Sequence, residues 1–415
     1  MKILKRSVAA ALLASVALSA GPVLAKDPPA PAAPKPPKLS KPYAKTLMEA
    51  QKLMQAGDNA GGLAKLNELD AVPPTADDDA YTTLSLKLNA AIGLKDNALT
   101  EQTLSKMLAT GKVPAADQGK FYRTVGSLAL NRKDYNAATM AFQELVKMNP
   151  GDGEAQVALS ELYAAQKQNS KAVDTLNAAI AAQKAAGQAV PEAWYRRALA
   201  FAYDGKLPAQ VQPTALALVT AYPNAVNWRD ALVITRDSFQ LDDQGSLDFM
   251  RLQAATNSLN GERDFVEYAD TALGRGFPGE AQYAINEGIK KNMLNASKPL
   301  VAELKRSADS KVAADKAALP GLEKEIKTNG KLALATGDAY YGYGDFAKAA
   351  TLYRQAVGNA AVDQATANLR LGMALARSGD KAGATTALQA VKGGPREVLA
   401  QYWMAYIGAG APAAA

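Results

Sequence analysis

Histidine and cysteine are both absent from these 415 residues. Without cysteine there is no disulfide and no thiolate nucleophile, and no lipid can be attached behind a secretory leader. Without histidine the commonest general base is missing, and with it the usual zinc ligand sets. Aromatic residues make up 7% of the chain. β-branched residues rarely alternate with polar ones, so a sheet protein is not expected. A chain with these shortages must gain its stability from buried aliphatic and alanine surface.

Only one long apolar run is present. Lys2, Lys5 and Arg6 precede Ser7–Leu24, and Val23-Leu24-Ala25 offers small residues ahead of Lys26. Gly21 and Pro22 interrupt the run before it reaches a comfortable membrane span. Residues 1–25 therefore read as a cleaved signal peptide, and the mature chain is expected in the periplasm of a diderm bacterium, with no integral span. The formal charge of +7 is concentrated at the start. Residues 1–25 carry +3, and Lys26, Lys35, Lys38 and Lys41 against Asp27 give another +3, which leaves +1 for the remainder. No basic stripe of the kind that displaces counterions from phosphate is evident, and nucleic acid is not an expected partner. Residues 26–42 hold seven prolines and read as an extended linker. Residues 408–415 read as a flexible tail.

From residue 43 onward the apolar positions recur every three or four residues, the period of helices. Gly57-Asp58, Lys95-Asp96, Gly205-Lys206, Gly344-Asp345 and Gly379-Asp380 punctuate them. Glycine suits a left-handed helix end, and aspartate caps the next helix. The stretch LNRKDYNAATMAFQELVKMNPGD at 130–152 shows the unit. Tyr122, Val125, Gly126 and Ala129 form one stripe, a turn follows, Ala138 and Phe142 form a second, and Pro150 closes it. Thirty-four residues on stand Leu159, Ser160, Tyr163, Ala172 and Leu176, and Trp194 and Trp228 are related by the same step. Phe265, Tyr268, Ala269, Ala272, Ala281 and Ile285 fit the template. So do Thr336, Gly337, Tyr340, Ala349 and Tyr353, and then Leu371, Gly372, Leu375, Ala384 and Leu388. Small residues let two backbones approach while larger ones fill the space around the contact.

This pattern resembles the tetratricopeptide repeat. The resemblance implies an all-α solenoid, a superhelix of stacked antiparallel helix pairs, with units beginning near residues 43, 81, 119, 153, 191, 225, 262, 296, 330 and 365. The expected organisation is an N-terminal array at 43–295, a degenerate charged helical unit at 296–329 and a C-terminal repeat pair at 330–407. In the 296–329 segment, Val301, Leu304, Ala308, Val312, Leu319, Leu322 and Ile326 suggest long helices broken at Pro320, and the spacing favours a diverged repeat of ordinary length over a strut.

Candidate chemistry is sparse. Ser378-Gly379-Asp380-Lys381 has the Ser-x-x-Lys spacing of some acyl-transfer enzymes but occupies a repeat turn. Asp77-Asp78-Asp79 could hold calcium, yet it precedes a helix start where acids cap and favour the positive end; Asp242-Asp243 reads the same way. Tyr340-Tyr341-Gly342-Tyr343-Gly344 lacks the strand and lysine of a phosphate loop, so its tyrosines read as packing, with Tyr341 exposed. No catalytic residue, cofactor or metal is expected. The resemblance implies instead that the first helix of each pair lines a concave groove for a protein or peptide. It nominates Lys120, Arg123, Ser127 and Asn131, then Glu154 and Glu161, then Tyr195, Arg196 and Tyr203, then Arg229 and Arg236, and finally Asp338, Tyr341, Arg370 and Arg377. Arg123 and Arg196 resemble two cations of the family's carboxylate clamp, but Ala158 and Glu192 stand where asparagine and lysine belong. A structural accessory subunit of a cell-envelope assembly is the second expectation, and a carboxylate-based enzyme or glycan binder the third.

Overall fold

The computed structural model describes residues 36–238 and 243–409. The expected signal peptide at 1–25, most of the proline-rich linker, Asp242, the side chain of Asp243 and the last six residues of the expected tail lie outside that description. Among the described residues there are twenty α-helices, one 3-10 turn and no strand. None of the helices is long and apolar enough to cross a membrane. The chain divides into two compact units, one ending at Lys95 and one beginning at Asp96, inside the stretch expected to be a single array.

The first unit holds α1 (Lys41–Gln55), α2 (Asn59–Asn67) and α3 (Asp79–Gly93). Tyr43, Leu47, Ala50, Leu66 and Leu69 form its core. The Tyr43 hydroxyl donates to the Val72 carbonyl at 2.6 Å, so a buried polar tip is satisfied at the edge of that core. The aspartate triplet does more than cap. Asp79 is fully buried in the first turn of α3 and accepts from the Ser40 N–H (2.9 Å), the Ser40 hydroxyl (2.8 Å), the Ala76 N–H (2.9 Å) and the Thr75 N–H (3.1 Å). It clips the start of α1 and the preceding loop to α3. Burial opposes its charge, but the donors from Ser40, Ala76 and Thr75 outweigh burial and hold the carboxyl below its usual range.

The second unit runs through α4 (Asn97–Ala109), α5 (Ala115–Asn131), α6 (Tyr135–Met148), α7 (Gly153–Ala165), α8 (Asn169–Ala185), α9 (Glu192–Asp204) and α10 (Pro208–Ala221). It continues with α11 (Ala225–Asp237), α12 (Asp243–Ala255), α13 (Gly261–Gly274), α14 (Pro278–Lys290), α15 (Pro299–Ile326), α16 (Gly330–Gly342), α17 (Phe346–Ala356), α18 (Gln364–Ser378), α19 (Lys381–Gln389) and α20 (Gly394–Ala409). The small-residue contacts lie where the spacing placed them. A Cβ on Gly126 would come within 2.7 Å of Phe142, one on Gly337 within 2.7 Å of Tyr353, and one on Gly372 within 2.5 Å of Leu388. Each is a first helix pressed onto the second of its own pair.

Four of the turns share one arrangement. A residue with positive φ is followed by an aspartate whose carboxylate accepts from a backbone N–H three residues on: Asp96 from Leu99, Asp134 from Ala137, Asp345 from Lys348 and Asp380 from Gly383. Such a cap contributes about 1 kcal/mol. Glycine supplies the left-handed residue at 344 and 379, but lysine does at 95 and 133. At Gly205-Lys206 the left-handed residue is Lys206.

Two expectations are corrected. The 296–329 segment contains no helix pair: α15 is one helix of 28 residues that passes through Pro320. Proline removes a single N–H from the ladder, and the buried stripe Val301, Leu304, Ala308, Leu319 and Ile326 holds the helix on both sides of the gap. The chain also does not finish with the α18/α19 pair. Helix α20 follows, packs on both, and reaches back to α10 and α12. Thr235 Oγ1 lies 2.7 Å from the Tyr402 hydroxyl, Gln212 donates to Gln401 at 2.7 Å, and the rings of Trp228 and Tyr402 meet edge-on at 6.1 Å. Trp228 and Trp403 are fully buried. One apolar core therefore joins residues from 173–252 with residues from 341–406.

Candidate functional site

The nominated groove side chains divide by what they touch. Arg123 on α5 pairs with Asp152, the N-cap of α7. On α9, Arg197 reaches back to Glu161 on α7 at 2.5 Å, while Arg196 reaches forward to Asp230 on α11 at 2.9 Å and to Asn227 at 2.8 Å. Arg236 on α11 pairs with Glu267 on α13 at 3.1 Å. These cations of α5, α9 and α11 thus bond to acids on or at the start of a neighbouring first helix and tie adjacent repeats together. Burial pushes the Glu161 carboxyl up, against the opposing pull of Arg197.

Several nominations are overturned by burial. Tyr195 is 3% exposed, Tyr341 6% and Arg370 2%, so none of them stands on an open face, and Asp338 is equally enclosed. Tyr195 packs edge-on against Tyr222 at 5.9 Å because its stripe turns into the α9/α10 core. Of the remainder, Lys120 pairs locally with Asp117, Ser127 is half-buried, Asn131 and Glu154 are exposed, and Tyr203 is 48% exposed. Arg229 is half-buried, with its Nε enclosed and unpartnered. An open cleft of about 530 Å³ lies along α9 and α11, lined by Arg196, Arg197, Phe201, Asp204, Asp230 and Ile234.

Arg370 and Asp338 belong to a buried ionic cluster. Arg251 on α12 donates through Nε and Nη2 to both oxygens of Glu280 at 2.8 Å, and through Nη1 to Asp248 at 3.1 Å and Asp338 at 3.2 Å. Arg370 on α18 binds the other oxygen of Asp338, and its Nε lies 3.5 Å from Asp248. The Tyr353 hydroxyl donates to Asp338 and the Tyr268 hydroxyl to Glu280, each at 2.8 Å. Burial and then the neighbouring carboxylate push both phenols upward, so they remain neutral donors. Three carboxylates and two guanidiniums thus join α12, α14, α16 and α18 in a place water does not reach. Each acid holds an arginine, so the cluster fastens four helices together.

The sequence carried a signal for this cluster. Asp248 and Arg251 stand one turn apart within the apolar run that includes Leu247, Phe249, Met250 and Leu252, and a charge pair on so apolar a helix has to be buried. Glu280 directly precedes the core residue Ala281.

Beside the cluster a pocket of about 330 Å³ opens between the first turn of α14, the end of α16 and Arg377 of α18. Gly279 and Gly342 make it possible: a Cβ on the first would strike Tyr343, and one on the second would lie 2.9 Å from the Cβ of Glu280. Arg377 stacks on Phe346 at 4.4 Å, Lys316 lies over Tyr343 at 4.7 Å, and Tyr283 stands at the rim, 41% exposed. Among the described residues there is no group of three or more metal-ligating side chains.

Residues 129–190 and residues 334–398 match family models of the tetratricopeptide repeat. No curated protein matches the sequence. Among solved structures, the chain is similar to a tetratricopeptide repeat protein from Parabacteroides merdae (12% identity, covering 65% of this chain and 99% of that one, TM-score 0.27). It is also similar to MamA from Desulfovibrio magneticus (13%, 49% and 100%, TM-score 0.26) and to the C-terminal part of a repeat-containing protein from Cytophaga hutchinsonii (9%, 77% and 97%, TM-score 0.26). Repeat spacing, glycine contacts, capped turns and the two family matches converge. The chain carries tetratricopeptide repeats in these two stretches, the make-up of a protein-interaction scaffold built from stacked helix pairs.

Proposed function

We propose that this scaffold is exported, has no catalytic role, and holds a protein or peptide segment along the first helices of its repeats, in the cleft of α9 and α11. One observation carries the reading. This cleft combines the apolar surface of Phe201 and Ile234 with a charged rim of Arg196 and Arg197, each also paired with an acid of a neighbouring helix, and of Asp204, and Tyr203 is exposed nearby. An apolar floor with a charged, aromatic edge is the make-up of interface hot spots. The leader-like residues 1–25 support export.

Photo-crosslinking in living cells at Tyr203 and at Met140 tests the choice of face. Met140 lies on a second helix and is 68% exposed, and it favours the second reading, a structural subunit of an envelope assembly held through its second helices. Capture at Tyr203, abolished by Ile234→Asp, supports the cleft. Capture only at Met140 moves the function to the other face. Mass measurement of the protein from fractionated cells should show loss of residues 1–25, and an intact leader on all of it overturns export.

A further inference from the structure

The pocket beside the ionic cluster is lined, besides Arg251, by two cations and by one acid that is already neutralised. Glu280 is its acidic wall residue, and both of that residue's oxygens are held by Arg251, with Tyr268 adding a third donor. Arg377 and Lys316 also line the pocket, and neither forms an ion pair among the described residues. The Tyr341 hydroxyl is buried, lines the same pocket and has no hydrogen-bond partner in the protein. A buried hydroxyl without a partner is rare in folded proteins, because it gives up its bond to water and receives nothing in return. Here the residue that carries it lines a cavity of ligand size.

We propose that this pocket is a binding site for a carboxylate carried on a short organic stem, gripped by Arg377, Lys316 and the Tyr341 hydroxyl. The planar guanidinium of Arg377, fixed against Phe346, suits the two oxygens of a carboxylate. The rings of Phe346, Tyr343 and Tyr283 give the stem an apolar seat. The carboxylate can belong to an acidic residue of a peptide or to a free small acid. The site is separate from the cleft of α9 and α11.

Calorimetric titration of the full chain with N-acetylglutamate, a blocked tetrapeptide containing one glutamate, N-acetylglutamine and inorganic phosphate tests the proposal. At least one of the two acids should saturate below about 10 mM and bind about tenfold more tightly than the neutral amide. Tighter binding of the peptide identifies a peptide side chain as the source, and tighter binding of N-acetylglutamate a free acid. Arg377→Gln should weaken binding about tenfold. Tyr341→Phe is the discriminating variant: it removes a hydroxyl that has no protein partner, so the ligand-free thermal midpoint should hold or rise while acid binding weakens about threefold to tenfold. The proposal is overturned if neither acid saturates, if phosphate binds more tightly than both, or if Tyr341→Phe lowers the ligand-free midpoint and leaves affinity unchanged.

Discussion

A single methyl group separates two kinds of repeat contact. At Gly337 an added Cβ would meet the ring of Tyr353, which is fully buried and tied by its hydroxyl to Asp338, so the ring cannot retreat. At Gly372 the clash falls on the branched end of Leu388, which can rotate. Alanine improves helix propensity equally at both sites, so the difference is informative: Gly337→Ala should be less stable than Gly372→Ala by about 1–2 kcal/mol in urea unfolding. Asp338 answers to both buried arginines and to Tyr353, and Asp338→Ala should destabilise by about 3–5 kcal/mol, seen in the same measurement. The packing of Gly126 on Phe142 and of Gly337 on Tyr353 was legible in the sequence because small and large residues recur at fixed steps. The roles of Arg196 and Arg370 were not. Periodicity says which side of a helix a residue occupies, and it is silent on which neighbour lies opposite.

At the scale of elements, the joints between helices decide stability. Asp79 holds the start of α1 to α3 through a carboxylate whose folded-state pKa is depressed. A depressed folded pKa means that the ionised form is favoured in the fold. Its stabilisation is complete above the unfolded value of about 3.9 and disappears as pH falls through the lower folded value. The gap in urea midpoint between the wild type and Asp79→Asn should therefore be wide at neutral pH and close in acid, and a gap independent of pH would refute the clip. The exposed bridge from Arg196 to Asp230 is weaker, and a double-mutant cycle should return a coupling of about 0.2–1 kcal/mol that fades with salt. Most helices and turns could be read from spacing and from Gly-Asp or Lys-Asp signals. Helix α15 could not, because a proline reads locally as a break, whereas the buried residues on both sides that carry the helix across it come from other elements.

For the second unit as a whole, the decisive feature is the return of α20 to α10 and α12. A repeat array is expected to touch only nearest neighbours, and nothing in its period announces that its last helix will dock on a unit two hundred residues earlier. Tyr402 sits in that joint, fully buried, with its ring against Trp228 and its hydroxyl on Thr235. Tyr402→Ala should cost about 3–5 kcal/mol, and its effect should be non-local, with hydrogen exchange rising in α10–α12 as well as in α20. Exchange confined to α20 would show that the joint carries no energy.

That docking also sets an order of events. Synthesis proceeds from the amino end, so α9–α12 leave the ribosome long before Tyr402 and Trp403 exist. Until the sixteen residues of α20 arrive, a strip of oily surface around Trp228 stays bare, as attractive to a chaperone as to another unfinished copy. A protein assembled by simple stacking could mature piece by piece; this one is completed by its last helix.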